Sequence, residues 1–559
     1  MTQPAEIGNF IALFERSIRE NWDLNALTDY EGATLQYKDL ARKIEKVHIL
    51  LEHAGVKAGD RIAICGRNCS HWGVAFLATL TYGAVAVPVL HEFTPEQVHN
   101  IVNHSESRLL FAGDQTWPAL SPDAMPVLEG VVNLADFSLY VSRSEALTEA
   151  RAKLNALFGA KYPMNFRKEH VSYKRPEHED LALINYTSGT TSFSKGVMIP
   201  YRAVWSNVAF GIEVLGAQME RGSRVVSILP MAHMYGMAFE FLFEVCRGCH
   251  IHFLTRMPTP QVIFKAFQDI RPNIVITVPL IIEKVVRKVV MPKLEQPSVK
   301  MMLKLPFVNQ KVRDKVRTSL IEAFGGQFAE LIIGGAALNS DVEQLLKSID
   351  FPFTVGYGAT ECAPIISYIN HQAFRLGCCG KAAPRMEIKI DSPDPQHVVG
   401  QILTRGTNVM LGYYKNPEAT AEVLDAEGWY YTGDLGLLDA DGYLYIKGRS
   451  KNMLLGPSGQ NIYPEEIESA LSSLELVAES VVIQRNDKLI ALVYVDPEEV
   501  KVRQLTPEQV TEVLERNRKE LNASQPNYAQ VTRVVQWPTE FEKTPKKSIK
   551  RFLYQDAKV

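Results

Sequence analysis

The residues of this chain that could do chemistry lie in a few short glycine-rich or polar stretches. The first is Tyr186-Thr-Ser-Gly-Thr-Thr-Ser-Phe-Ser-Lys-Gly-Val197, which follows the apolar run LALINY and precedes a helical pattern opening near Tyr201. Backbone N–H groups and hydroxyls in such a loop donate hydrogen bonds, and Lys195 adds a positive charge, so it suits a polyphosphate. It is not the G-x-x-x-x-G-K-[ST] loop, because the spacing from Gly189 to Lys195 differs. Downstream come Leu229-Pro-Met-Ala-His-Met-Tyr-Gly236, Gly334-Gly-Ala-Ala-Leu338, Tyr357-Gly-Ala-Thr-Glu361, Tyr431-Thr-Gly-Asp434 and Gly448-Arg449. A basic segment, Lys543-Thr-Pro-Lys-Lys-Ser-Ile-Lys-Arg551, lies near the end. Singly, each has an ordinary explanation. An Asp in a TGD turn, a solvated Arg, a core-edge His and a solvated lysine tail are all common.

Together, in this order and spacing, they resemble the adenylate-forming superfamily of acyl-CoA synthetases, luciferases and peptide-synthetase adenylation domains. The resemblance runs from the GDRIAI segment at Gly59 to the lysine-rich end. It implies ATP-dependent activation of a carboxylic acid. The carboxylate attacks the α-phosphorus, pyrophosphate leaves, and a thiol then takes the acyl group. It also implies roles for residues. Thr187, Ser188, Gly189, Thr190, Thr191 and Lys195 would hold the β- and γ-phosphates. Tyr357 would stack on adenine, Gly335, Ala336 and Ala337 would pass close to the purine, and Gly358 and Thr360 would line the same nucleotide site. Glu361, assisted by Thr190, would be the Mg²⁺ ligand, since a hard cation that bridges phosphates takes oxygen ligands. Asp434 and Arg449 would contact the ribose, and His233 would wall the acyl site. Lys451 would be the hinge about which a C-terminal domain rotates between half-reactions, and Gly459 would line the channel to coenzyme A.

Two positions depart from that pattern. Ser192 and Ser194 stand where the phosphate loop usually has Gly and Pro. At the end, alignment on Thr544 and Ile549 puts Ser548 where the family carries a lysine that stabilises the adenylation transition state. Removing a cation from developing phosphate charge is costly. Either a neighbour substitutes, Lys547 by preference over Lys546 and Lys550, or adenylation is slow.

Strands and helices alternate over most of the length and must position these stretches. RIAIC, AVAVPVL, LALINY, RVVSIL and NIVITVP read as buried strands, and WGVAFLATLTYG and QVIFKAFQDI as helices. That pattern predicts α/β architecture with parallel sheets covered on both faces. From about Arg385 the rhythm changes to MEIKI, GQILTRG, WYYTGD and YLYIKGR, short strands that predict local antiparallel structure, a small β-barrel-like subdomain or a ribbon. A small α/β block follows. The expected division is a large domain over 1–448, binding AMP and acyl groups, and a rotating domain over 449–559.

Bulk properties exclude several classes. Over 559 residues, 46% are hydrophobic and 22% charged, with a net charge of −3, so no strong field favours nucleic acid. The N-terminus lacks the basic start and apolar core of a signal peptide, and no apolar run is long enough to span a membrane. An odd count of seven cysteines then points to reduced thiols in a cytoplasm. Cys246-Arg-Gly-Cys249-His250 spells a haem-attachment pattern, but it sits where a helix turns into a strand, and buried thiols explain it better. Between Pro279 and Phe324 lies a basic, helix-rich stretch that resembles members acting on long-chain fatty acids. The expectation is therefore a cytoplasmic long-chain fatty-acid–CoA ligase, with fatty acid, ATP and CoA as partners and Mg²⁺ as cofactor. Peripheral membrane contact and oligomeric state are left open. The alternatives are a ligase loading a carrier-protein thiol and a nucleotide-binding scaffold without turnover.

Overall fold

The computed structural model describes residues 7–187, 195–256, 259–294, 296, 306–456, 460–486, 488–544 and 549–557. An eight-stranded sheet runs in the spatial order Gly412–Tyr413, Gly196–Pro200, Leu181–Tyr186, Val85–Val89, Arg61–Cys65, Leu109–Ala112, Gly130–Asn133, Leu139–Ser142. Its middle strands are parallel, as their unbroken apolar sequences require of strands buried on both faces. Three strands do not follow the parallel expectation. Leu139–Ser142, Gly196–Pro200 and Gly412–Tyr413 each pair antiparallel with a neighbour.

A second sheet orders Arg224–Ser227, His250–Phe253, Asn25–Asp29 and Thr34–Gln36, and a third, all parallel, is built from Val275–Thr277, Leu331–Ile333 and Phe353–Val355. One continuous apolar core joins them, from Phe10 on the first helix to Leu444. The strands Met386–Asp391, Gly400–Gly406, Tyr430–Leu438 and Leu444–Arg449 pair antiparallel in that order. The first and last of these do not pair with each other, so the barrel-like closure expected there is an open sheet.

After Arg449 a smaller unit has its own apolar core, centred on Ile467, Leu471, Val493, Leu514 and Val531. Val477–Arg485 and Lys488–Val495 form a hairpin, and Val531–Trp537 adds in parallel. Helices Pro464–Ser472 and Pro507–Ser524 cover the sheet. The longer helix starts on a reciprocal cap in which Gln509 N–H donates to Thr506 Oγ1 and Thr506 N–H to Gln509 Oε1. This unit docks on the large one through Asn339, whose Nδ2 donates to Ser472 Oγ at 2.8 Å and Ser473 Oγ at 3.0 Å. Lys447 pairs with Glu466 beside it. Among the described residues no helix is long and apolar enough to cross a membrane.

Candidate functional site

The chemically rich stretches leave the C-terminal ends of strands in different sheets. Thr187 follows Leu181–Tyr186, Leu229 follows Arg224–Ser227, Gly334 follows Leu331–Ile333, and Tyr357 follows Phe353–Val355. In open α/β sheets these ends are where ligands bind, because the chain must turn there and leaves a crevice.

Ser188, Gly189, Thr190 and Thr191 of the first stretch, with Ser192 and Ser194, lie outside the described residues; its two ends are defined. Thr187 N–H donates to Lys195 O at 3.0 Å, and Gly196–Pro200 returns antiparallel to Leu181–Tyr186. The helix expected near Tyr201 is present as Tyr201–Phe210, and the return strand Gly196–Pro200, which was not anticipated, stands before it.

Gly335, Ala336 and Ala337 form an exposed ledge, and Gly335 takes φ +87°, a left-handed backbone that side-chain-bearing residues resist. Next to the adjacent strand, Tyr357 and Gly358 are followed by a tight turn over Thr360–Cys362 in which Thr360 is buried. Tyr357 is only 9% exposed, and its hydroxyl donates to Asp434 Oδ2 at 2.6 Å. Arg449 Nε lies 3.1 Å from Asp434 Oδ1, because the two residues are paired across neighbouring antiparallel strands. Burial raises the Asp434 carboxyl above the usual carboxylate range, and the Arg449 guanidinium and the Tyr357 hydroxyl oppose that shift.

Glu361 is half-buried and held the same way. Tyr413 O–H donates to Glu361 Oε1 at 2.9 Å, and Lys195 Nζ sits 4.6 Å from the centre of the Tyr413 ring. Tyr413 belongs to the short strand paired with the one that begins beyond Lys195, which brings all three together. Burial and the neighbouring Glu361 push the Tyr413 hydroxyl well above its ordinary value, so it stays protonated and can donate. Tyr430, also buried, lies within electrostatic reach of Glu361, Tyr413 and Tyr357. Neither Tyr413 nor Tyr430 is singled out by the sequence. Tyr413 is 52 residues from Glu361, and no local periodicity links them. Among the described residues no group of three or more His, Cys, Asp or Glu is gathered for a metal. A Mg²⁺ ion carried on phosphates needs only one or two protein carboxylates, so Glu361 suits that role without such a cluster.

On the other side, His233 caps the short helix Met234–Met237, and its Nδ1 accepts from Tyr235 N–H at 3.3 Å. The chain continues through a wider π turn, Ala238–Leu242, into the helix Phe243–Arg247. This wall is buried and largely apolar, with Phe239, Phe241 and Leu242 inside. The helix ends at Gly248 as anticipated, Cys249 is buried, and all seven cysteines are free.

Lys451 is exposed on a single turn, Ser450–Asn452, directly after the paired Arg449, while Gly459 lies outside the described residues. So do Lys546, Lys547 and Ser548. The base of their segment is described. Lys543 bridges Ile549, Lys550 N–H donates to Glu542 O at 2.8 Å, and Lys543, Lys550 and Arg551 pair with Glu479, Glu542 and Glu468 respectively.

The comparisons with known proteins agree with this arrangement. The AMP-binding enzyme family matches residues 14–414, and the AMP-binding enzyme C-terminal domain matches residues 452–556. Long chain acyl-CoA synthetase 7, peroxisomal, of Arabidopsis thaliana is 29% identical over 513 residues, 84% of this chain and 70% of that protein. The long-chain-fatty-acid–CoA ligase of Salmonella typhimurium is 27% identical, over 84% of this chain and 82% of the relative. Among solved structures, an anthranilate CoA ligase in complex with anthranoyl-AMP superposes with a TM-score of 0.77 at 20% identity, covering 98% of this chain and 97% of that one. An ATP-bound RpMatB-BxBclM chimera gives the same TM-score at 22% identity, over 98% and 99% of the two chains. With these two family matches covering most of its length, the chain belongs to the AMP-binding enzyme family.

Proposed function

We propose that this protein activates a long-chain fatty acid as its acyl-adenylate, releasing pyrophosphate, and passes the acyl group to the thiol of coenzyme A. The observation that carries the reading is the paired arrangement of Asp434 and Glu361, each met by a tyrosine hydroxyl, with Tyr357 leaving the strand next to the one that leads into the exposed Gly335–Ala337 ledge. Asp434 would accept from ribose hydroxyls and Arg449 would add a contact. Tyr357, Gly358 and Thr360 would form the nucleotide wall. Glu361, with Thr190, would hold Mg²⁺, which neutralises phosphate charge when bound. Thr187, Ser188, Gly189, Thr191 and Lys195 would take the phosphates. His233 would face the acid's carboxylate, Lys547 would reach the α-phosphate, Lys451 would be the hinge between units split at 448/449, and Gly459 would line the thiol's channel.

The long-chain preference is supported by relatives named for long-chain acids and by the buried apolar wall after His233. We take the enzyme to act in the cytoplasm. The test is a panel of acids from acetate to palmitate, assayed for thioester formation dependent on ATP and CoA. Acids of about twelve carbons or more should outcompete acetate by several orders of magnitude, since each buried methylene contributes about 0.8 kcal/mol. Preference for acetate or an aromatic acid overturns the substrate assignment. Pyrophosphate release without CoA consumption overturns the acceptor.

A further inference from the structure

The segment Leu229–His233 belongs to no strand, and only its last residue touches a helix, as a cap, yet it is largely buried, so its backbone groups need partners. Three remote side chains supply four of them, at Leu229 N–H, Leu229 O, Met231 N–H and Ala232 O. Asn68 Nδ2 donates to Leu229 O at 2.6 Å, and Asn68 Oδ1 accepts from Met231 N–H at 2.9 Å. Asn185 Nδ2 donates to Ala232 O at 2.9 Å. Glu240 Oε2 accepts from Leu229 N–H at 2.9 Å and from the Ser227 hydroxyl at 3.2 Å. His233 N–H closes the turn on Pro230 O at 2.9 Å. The first turn of the following helix fits against it because Gly236 has no side chain; a Cβ there would stand 2.7 Å from Pro230 O.

Glu240 is the unexpected member. It is fully buried, lies between Phe239 and Phe241, and falls within the π turn Ala238–Leu242. Widened turns of this kind mark functional sites more often than plain helix does. Burial raises its carboxyl well above the carboxylate range, and Oε2 is the oxygen that accepts both hydrogen bonds. An apolar residue would serve a purely packing role there at lower desolvation cost. Asn185 stands two residues before Thr187, so the same clamp ties the segment to the strand that feeds the phosphate loop.

We propose that Glu240 and Asn68 are positioning residues for the acyl side of the reaction: they hang the Leu229–His233 segment at the height at which His233 meets the acid's carboxylate. The inference rests on the reading that this segment walls the acyl site. It places no residue in contact with ATP, so nucleotide affinity is left alone.

Steady-state pyrophosphate release separates the effects, with KM measured for palmitate and for ATP together with the thermal midpoint. Glu240→Gln keeps an accepting oxygen in a neutral side chain, so both KM values should stay within about twofold of the unaltered enzyme. Glu240→Leu removes the acceptor and leaves Leu229 N–H buried without it, so the palmitate KM should rise about tenfold or more while the ATP KM holds. Asn68→Ala, at a loop position only half-buried, should show the same split and carries the test if Glu240→Leu does not fold. Unaltered palmitate KM in the folded variants, or palmitate and ATP KM rising together, overturns the inference. Failure of Glu240→Gln to retain the unaltered values does so as well. An unaltered enzyme that releases no pyrophosphate with any acid overturns the functional reading, and this inference with it.

Discussion

On the proposed nucleotide side, Glu361 and Asp434 are carboxyl side chains, and each accepts from a phenol, Tyr413 and Tyr357 respectively. On the proposed acyl side, Leu229–His233 offers mostly backbone, and polar side chains from Asn68, Asn185 and Glu240 hold it. The difference fits what each side is proposed to bind. Ribose hydroxyls and phosphate-bound metal require fixed charge, and a tyrosine can hold a carboxylate without cancelling that charge. An acyl chain requires a shaped apolar wall, and a wall made of irregular backbone must have its amides satisfied from outside.

The contrast breaks most readily at Glu361. Glu361→Gln keeps shape and loses charge, so pyrophosphate release should fall about 100-fold or more, the usual cost of losing a preorganised electrostatic partner. The thermal midpoint should hold. Release at the unaltered rate would remove Glu361 from the metal-binding role and with it the contrast itself.

Tyr413→Phe sharpens the comparison, because it keeps the ring beneath Lys195 and deletes only the hydroxyl on Glu361. The Mg²⁺ concentration giving half-maximal pyrophosphate release should rise about tenfold, the worth of one hydrogen bond to a charged group. The rise in thermal midpoint on adding Mg·ATP should shrink in parallel. The palmitate KM should not move. A palmitate KM that rises with the Mg²⁺ requirement would show that the two sides are not held independently.

The smallest effect belongs to Lys550. Its ammonium already pairs with Glu542 at the base of the C-terminal hairpin, and such exposed pairs contribute little. Lys550→Ala should change adenylation by about twofold or less, whereas Lys547→Ala should abolish most of it. Reversal of that order would assign the cation to Lys550.

Much of this was legible in the chain. The order of YTSGTT, GGAAL, YGATE, YTGD and GR, read with the alternation of buried strands and helices, is enough for the family and the α/β class, and it is the ground on which Glu361, Asp434 and Arg449 are proposed for the nucleotide site. Residue type and short-range spacing are encoded locally, so a sequence displays them. The helix start near Tyr201 is where the structure has it, whereas the return strand before it was not anticipated, because GVMIP is a five-residue apolar run that suits a strand as well as a helix approach. Strand direction depends on which neighbour is free to pair, and that is a tertiary property. The barrel expectation fell to the same limit: four short strands look alike whether or not the sheet closes.

What only the folded structure decided is which distant groups meet. Tyr413 reaches Glu361 because its two-residue strand pairs with Gly196–Pro200. Glu240 looks like a misplaced charge in an apolar helix until Leu229 N–H is seen beside it. The sequence by itself determined the chemistry offered, through residue type. The tertiary structure determined the partners, because hydrogen bonds act over about 3 Å, and the fold alone brings residues far apart in the chain within that distance.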